Sequence, residues 1–264
     1  MAHGGWLGLI VFVLLLGSAG IGLALQRRLR EGHRSSQTAD HVRLVVSILV
    51  TITALVLSLL LTEVKGSFDT FDSRLRVFAG DLADLDVHLR EFGDEAQPIR
   101  ATLRAYVAAF IADSWRDEAA PPGVYPRLPD SDAVGRRPLG ALLVKADTAI
   151  HRLEPADGFH QRLAAALAAQ MDTVLGARRL LIETAHDTVA WPLVAAMCVW
   201  LAVVFGVFGL LAPRNAVVHL TIVICALCVA SAIFLIDDYD SPLRGVLHVS
   251  SEPMRDALRQ FDES

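Results

Sequence analysis

Hydrophobic residues gather into four long runs, and between the second and third runs apolar positions recur at helical intervals. Segments 6–25, 44–62 and 191–212 hold no charged residue, and segment 216–236 holds one ionisable group, His219, close to its start. A helix needs about 20 mostly apolar residues to cross about 30 Å of hydrocarbon, so each run predicts a membrane span. Trp6 and Trp191 stand at span ends, where indole rings favour the headgroup layer. The first run reads as a retained span and not as a cleaved signal peptide. It is too long, and its Met-Ala-His-Gly-Gly start lacks Lys and Arg.

The pattern continues past Thr62. Val64, Phe68, Phe71, Leu75, Phe78, Leu82, Leu85, Leu89 and Phe92 follow alternating steps of four and three. An apolar residue every 3.5 positions is the mark of helices wound side by side. Span two therefore extends outward as one rod, and about 30 further residues at 1.5 Å each add roughly 45 Å. Gly93 and Pro98 mark a turn, and a helix is predicted over 98–117, with Ile99, Leu103, Tyr106, Phe110 and Ile111 on one side. Pro121, Pro122, Pro126 and Pro129 then enforce a loop. A helix follows over 139–153, and another starts near Pro155-Ala156-Asp157 and runs on toward Trp191. Four amphipathic helices joined by short links predict an antiparallel bundle standing on the membrane. In the tail, Val246-Leu247-His248-Val249 reads as a short strand. Ser251-Glu252-Pro253 opens a last helix, with Met254, Leu258 and Phe261 on one face.

The fold class is thus an all-α membrane protein with four transmembrane helices and an extramembrane bundle between spans two and three. Residues 1–62 form a hairpin (spans 6–25 and 44–62, loop 26–43), and 63–190 form the bundle. A second hairpin occupies 191–236 (spans 191–212 and 216–236), and 237–264 are an extramembrane tail with a short helix.

Composition agrees. Apolar residues make up 53% and charged residues 20% of the 264, where a soluble domain has about 45–50% and about 25%; mean hydropathy is +0.45. A net charge of −5 gives no electrostatic footprint for nucleic acid. The charge is unevenly placed. Arg27, Arg28, Arg30, Arg34 and Arg43 leave loop 26–43 at +3, and link 213–215 is at +1, whereas segment 63–190 is at −5 and the tail at −4. Short basic loops stay in the cytoplasm, so these arginines act as topology determinants. They place the bundle and both termini outside the cytoplasm of a bacterial inner membrane. Cys198, Cys225 and Cys228 all lie in spans and imply no disulfide framework.

Candidate chemistry is sparse. Ser47, Thr51, Ser58 and Thr62, spaced four, seven and four, share one face of span two. They are candidate pore-lining residues, although span hydroxyls more often serve packing or bond their own carbonyls. Asp237, Asp238 and Asp240 are weak metal candidates, since three carboxylates within four residues suit Ca²⁺ but complete no known loop motif. The thiols lack a fourth zinc ligand. A lone Glu183-x-x-His186 lacks the second copy that a di-iron bundle needs. Gly17, Gly20 and Gly22 lie inside span one, so they read as helix-contact residues and not as a nucleotide loop. No catalytic string is present, so no enzyme and no cofactor are expected. No Asp, Glu, Lys or Arg interrupts a span core, which disfavours a proton-coupled carrier and permits a passive pore.

Several strings resemble one family: Ser36-Gln37-Thr38-Ala39-Asp40-His41-Val42-Arg43, Phe68-Asp69-Thr70-Phe71-Asp72, Trp191-Pro192 and Ala212-Pro213-Arg214-Asn215-Ala216. The tail strings Asp240-Ser241-Pro242-Leu243-Arg244-Gly245 and Ser250-Ser251-Glu252-Pro253-Met254 are the most telling. Together they resemble the bestrophin-like family of bacterial integral membrane proteins over nearly the whole chain. That resemblance implies kinship with bestrophins, which are pentameric anion channels. Bestrophin pore and calcium-clasp motifs find no match here residue by residue. Bestrophins also keep their large helical domain in the cytoplasm, opposite to the orientation the charges give. The expected function is an oligomeric ion (anion) channel of the inner membrane, with lipid, further copies of the chain and inorganic ions as partners. The alternative is a non-conducting, membrane-anchored bundle that binds a partner or senses a ligand outside.

Overall fold

The computed structural model describes residues 4–26, 36–126, 136–185, 191–213, 215–243 and 245–263. Among them every regular element is helical: α1 (Gly4–Gln26), α2 (Ser36–Phe92), a 3₁₀ turn (Asp94–Ala96), α3 (Gln97–Ser114), α4 (Arg136–Ile150), α5 (Gly158–Ala185), α6 (Trp191–Leu211), α7 (Ala216–Tyr239) and α8 (Glu252–Asp262). The expected strand at 246–249 does not form. The carboxylate of Asp238, almost fully buried, accepts from the N–H groups of Val246 and Leu247 at 2.7 Å each. Those amides are therefore held by a side chain in a tight turn and cannot join a ladder.

The chain divides into two compact units. The first comprises Met1–Phe68 and Thr188–Leu247. Four of the helices, α1, α2, α6 and α7, are long and apolar enough to span a membrane. Val11, Leu15 and Ala19 of α1 pack with Leu60 and Val64 of α2, Met197, Leu201 and Phe205 of α6, and Ile233 and Ile236 of α7. The pairing of α1 with α6 is a backbone approach. A Cβ on Gly22 would overlap the carbonyl oxygen of Gly206, and one on Gly209 would overlap that of Ala19. Gly22 thus permits close contact, whereas Cβ atoms on Gly17 and Gly20 would meet open space. Asn215 caps α7, its Oδ1 accepting from Val217 N–H at 3.1 Å.

The second unit comprises Asp69–Asp187 and His248–Ser264. Its core is the heptad seam: Phe71, Leu75, Phe78, Leu82, Leu85, Leu89 and Phe92 are all buried. Buried in the same unit are faces of α3 (Leu103, Tyr106, Ile111), α4 (Leu143, Ile150), α5 (Leu167, Met171, Val174) and α8 (Met254, Leu258, Phe261). Gly93, at φ 97° and ψ −159°, takes a positive-φ conformation that glycine adopts without strain, and α2 ends just before it. Phe78, Tyr106, Phe110 and Trp115 form an aromatic chain with centroids 6.0 to 6.3 Å apart. Full burial pushes the Tyr106 phenol up to about 12, with the neighbouring Arg178 charge pulling it the other way. Ser251 precedes α8 as expected, but its hydroxyl donates to Glu118 at 2.5 Å instead of capping the helix.

Candidate functional site

α2 is the element on which the sequence concentrates polar residues of one kind, and its two sides differ sharply. One side is the buried seam. On the other, Ser47, Thr51, Ser58 and Thr62 are all exposed. Their spacing of four and seven continues unbroken to Asp69, Ser73, Gly80, Asp84 and Glu91, and every one of these nine positions is exposed. A four-plus-seven step is an eleven-residue repeat, or 3.67 residues per turn, which stays on one side of a nearly straight helix. In the first unit these positions are Ser47, Thr51, Ser58 and Thr62, and in the second they are Asp69, Ser73, Gly80, Asp84 and Glu91. The sequence reading found only its first four members. The extension was masked there by the apolar seam, whose period of 3.5 dominates the same stretch.

The hydroxyls on this face have a defined polarity. Ser47 donates to the carbonyl oxygen of Arg43, Thr51 to that of Ser47, and Thr62 to that of Ser58, each at 2.9 Å. This back-bonding is the more usual role foreseen for span hydroxyls. It spends each proton inside the helix and leaves the oxygen lone pairs as acceptors.

The cations of α2 are engaged. Arg43 pairs with Asp40 at 3.3 Å, Arg76 with Asp72 at 3.1 Å, and Arg90 with Asp86 at 2.7 Å. Arg74 donates to the carbonyl oxygen of Leu180 at 3.0 Å and to the Thr184 hydroxyl. Lys65 has an interaction of its own.

The other sequence candidates separate. Arg27, Arg28, Arg30 and Arg34 lie outside the described residues, as does His186 of the Glu-x-x-His pair. Asp238 is committed to its turn, with Asp237 and Asp240 half-buried beside it. Among the described residues no group of three or more His, Cys, Asp or Glu side chains is placed to hold a metal ion. Cys225 and Cys228 are exposed and Cys198 is half-buried, all as free thiols.

A second polar centre escaped the sequence reading, because its bonded partners are up to 170 positions apart. Asp86 receives both Arg90 and Arg100, and these arginines reach on to the carbonyl oxygens of Gln260 and Phe261 at the end of α8. Arg104 bonds Asp262 at 2.5 Å, and Arg255 bonds Glu118 at 2.9 Å. Burial alone would raise the Glu118 carboxyl, but hydrogen bonds from Ser251 and Arg255 hold it below the ordinary range. The centre docks a helix and offers no open site.

The bestrophin-like domain model matches residues 13–254, nearly the whole chain. The chain belongs to the bestrophin-like family. Its fold is similar to crystal structures of a bacterial bestrophin homolog from Klebsiella pneumoniae, solved as several point variants. One variant gives a TM-score of 0.65 at 14% identity, covering 96% of this chain and 95% of that one. A second gives 0.64 at 14% with 96% of each chain covered. A third gives 0.63 at 15%, covering 95% and 97%. At such identity the likeness is one of fold. A search among curated proteins finds no significant match. A bestrophin-like chain with four apolar spans is a multi-pass membrane protein.

Proposed function

We propose that this bestrophin-like protein assembles with further copies of itself into an ion-conducting pore, with the polar face of α2 turned toward the conduction path. The single observation that carries this reading is the face itself. Ser47, Thr51, Ser58 and Thr62 are exposed on one side of the span, while Val46, Thr53 and Leu60 on its other side are buried. A helix so divided in one chain has a packed side and a side that suits water. Ser47, Thr51, Ser58 and Thr62 line the path within the span. The absence of charge within the apolar runs fits passive conduction and not a coupled carrier. The bundle, 63–190, stands outside the membrane, and the positive loop at 26–43 directs it away from the cytoplasm of a bacterial inner membrane. A phosphatase fused after Asp130 that is active in the periplasm supports that orientation, and activity there of a cytoplasm-only reporter reverses it.

The test is electrical. Detergent-extracted protein reconstituted in planar bilayers passes current, and Thr51→Leu or Ser58→Leu alters its conductance. Assembled native protein that stays silent sinks the reading.

One observation favours the alternative of a non-conducting binding bundle. An open groove of about 790 Å³ lies beside α4, lined by Pro98, Ile99, Val144, Lys145, Arg152 and Glu95 among others. A monomeric particle that passes no current would turn the interpretation toward that groove.

A further inference from the structure

We infer that the second unit holds a small inorganic anion between Tyr106 of α3 and Arg178 of α5, where α4 comes close through Gly140. The Tyr106 hydroxyl is fully buried and has no hydrogen-bond partner. A hydroxyl taken out of water in this way costs free energy until an acceptor reaches it. The Arg178 guanidinium stands beside it. It is half-buried, and among the described residues it has no carboxylate to pair with. An arginine carries five N–H donors and no acceptor, so it cannot receive the phenol's proton. Two donors therefore meet at one place with nothing to accept from them.

The surroundings supply no negative charge. Three and four positions either side of Tyr106 and of Arg178 stand only apolar residues and Thr102, and no acid is so placed around Gly140. A Cβ on Gly140 would lie 3.6 and 3.7 Å from the two terminal nitrogens of Arg178. Lacking a side chain, Gly140 leaves that side of the guanidinium uncovered. α4 begins four residues earlier with no acid in its first turn, which puts the positive end of its dipole one turn away. A water molecule fits this place poorly. It would accept from both donors, but its own two protons would then need acceptors, and helix carbonyls are taken up by their own ladder. An anion accepts from both and brings no proton. The phenol end is fully buried, so the guest is small, and a single charge limits its desolvation cost. Chloride and nitrate are of that class. Such an ion joins α3 to α5 and makes the stability of the unit depend on the anion supplied, whether or not the protein conducts.

The test is a thermal melt of the full-length protein in detergent, in sodium chloride against sodium gluconate. Equal ionic strength holds screening constant, and gluconate is too large for the site. The native protein should melt about 2–4 °C higher in chloride, and the gain should grow with the logarithm of concentration. Tyr106→Phe keeps the ring and deletes one donor, so it should lose most of that gain, and Arg178→Gln should lose all of it. Arg179→Gln, the exposed neighbour, should keep it. Crystals grown in sodium bromide give a second readout that needs no variant: anomalous scattering between the Tyr106 hydroxyl and the Arg178 guanidinium. Equal native melting in the two salts overturns the inference. So does a chloride gain that both Tyr106→Phe and Arg178→Gln retain. Density at the site without anomalous signal means water only, and overturns it as well.

Discussion

Arg100 grips the buried carboxylate of Asp86 with two nitrogens, Nε on Oδ1 at 2.7 Å and Nη2 on Oδ2 at 3.2 Å. Asp86 is fully buried and Arg100 is only 6% exposed. The forked geometry matches both charges. Arg90 adds a third and fourth contact to the same carboxylate. Removing the acid would leave a guanidinium buried with no counter-charge, which is the costly way to break such a pair. Asp86→Ala should destabilise the second unit by about 3–5 kcal/mol. Chemical unfolding in detergent measures this, and a loss under 1 kcal/mol would show the pair to be dispensable.

The contact between α1 and α6 makes a sharper comparison, because two glycines in the same region differ in surroundings. A methyl group at Gly209 meets the main chain of Ala19, which cannot step aside. A methyl group at Gly17 meets nothing within 4 Å. Gly209→Ala should therefore cost about 1–3 kcal/mol, the usual penalty of overpacking. Gly17→Ala should be neutral, or better by up to about 1 kcal/mol from helix propensity. Paired thermal melts of the two variants test this, and equal melting temperatures would contradict it.

Glu118 links acidity to the docking of α8. Its carboxyl is held below the ordinary glutamate range in the folded chain by Ser251 and Arg255, against the pull of burial. A depressed value means that the unfolded chain binds the proton more tightly. The stabilisation is thus complete above the ordinary glutamate range and fades as pH falls toward and through the folded-state value. The melting temperature should drop over that acidic window. Glu118→Gln should flatten this part of the profile and lower stability at neutral pH. An unchanged profile in the variant would remove Glu118 from the account.

The parts of this structure that were legible in the sequence are those with a period. Four spans could be read because hydrocarbon sets a length, and the seam from Val64 to Phe92 because packed helices set a spacing. The helix ends were less legible. The expected helices over 98–117 and 139–153 form as Gln97–Ser114 and Arg136–Ile150, since caps and local turns decide the last few residues. The strand expected at 246–249 failed because β-rich composition says nothing about Asp238, a side chain eight positions away that takes the amides first. The docking of α8 could not be read at all. Its donors lie on α2 and α3 and its acceptors at 260 and 261. No local rule connects residues so far apart. Only half of the polar face on α2 was visible, because one stretch of helix carries two periods at once, 3.5 on its buried side and 3.67 on its open side.

The clamp that Arg90 and Arg100 place on Gln260 and Phe261 also sets an order of events during synthesis. Its two halves emerge from the ribosome 161 to 170 residues apart, at roughly 5–20 residues per second. The segments that become α6 and α7 must be made in between. The charged partners on α2 and α3 are therefore already translated while the remaining apolar runs are being made. Closure of this clamp waits for residues 260 and 261, which follow both of those segments in the chain.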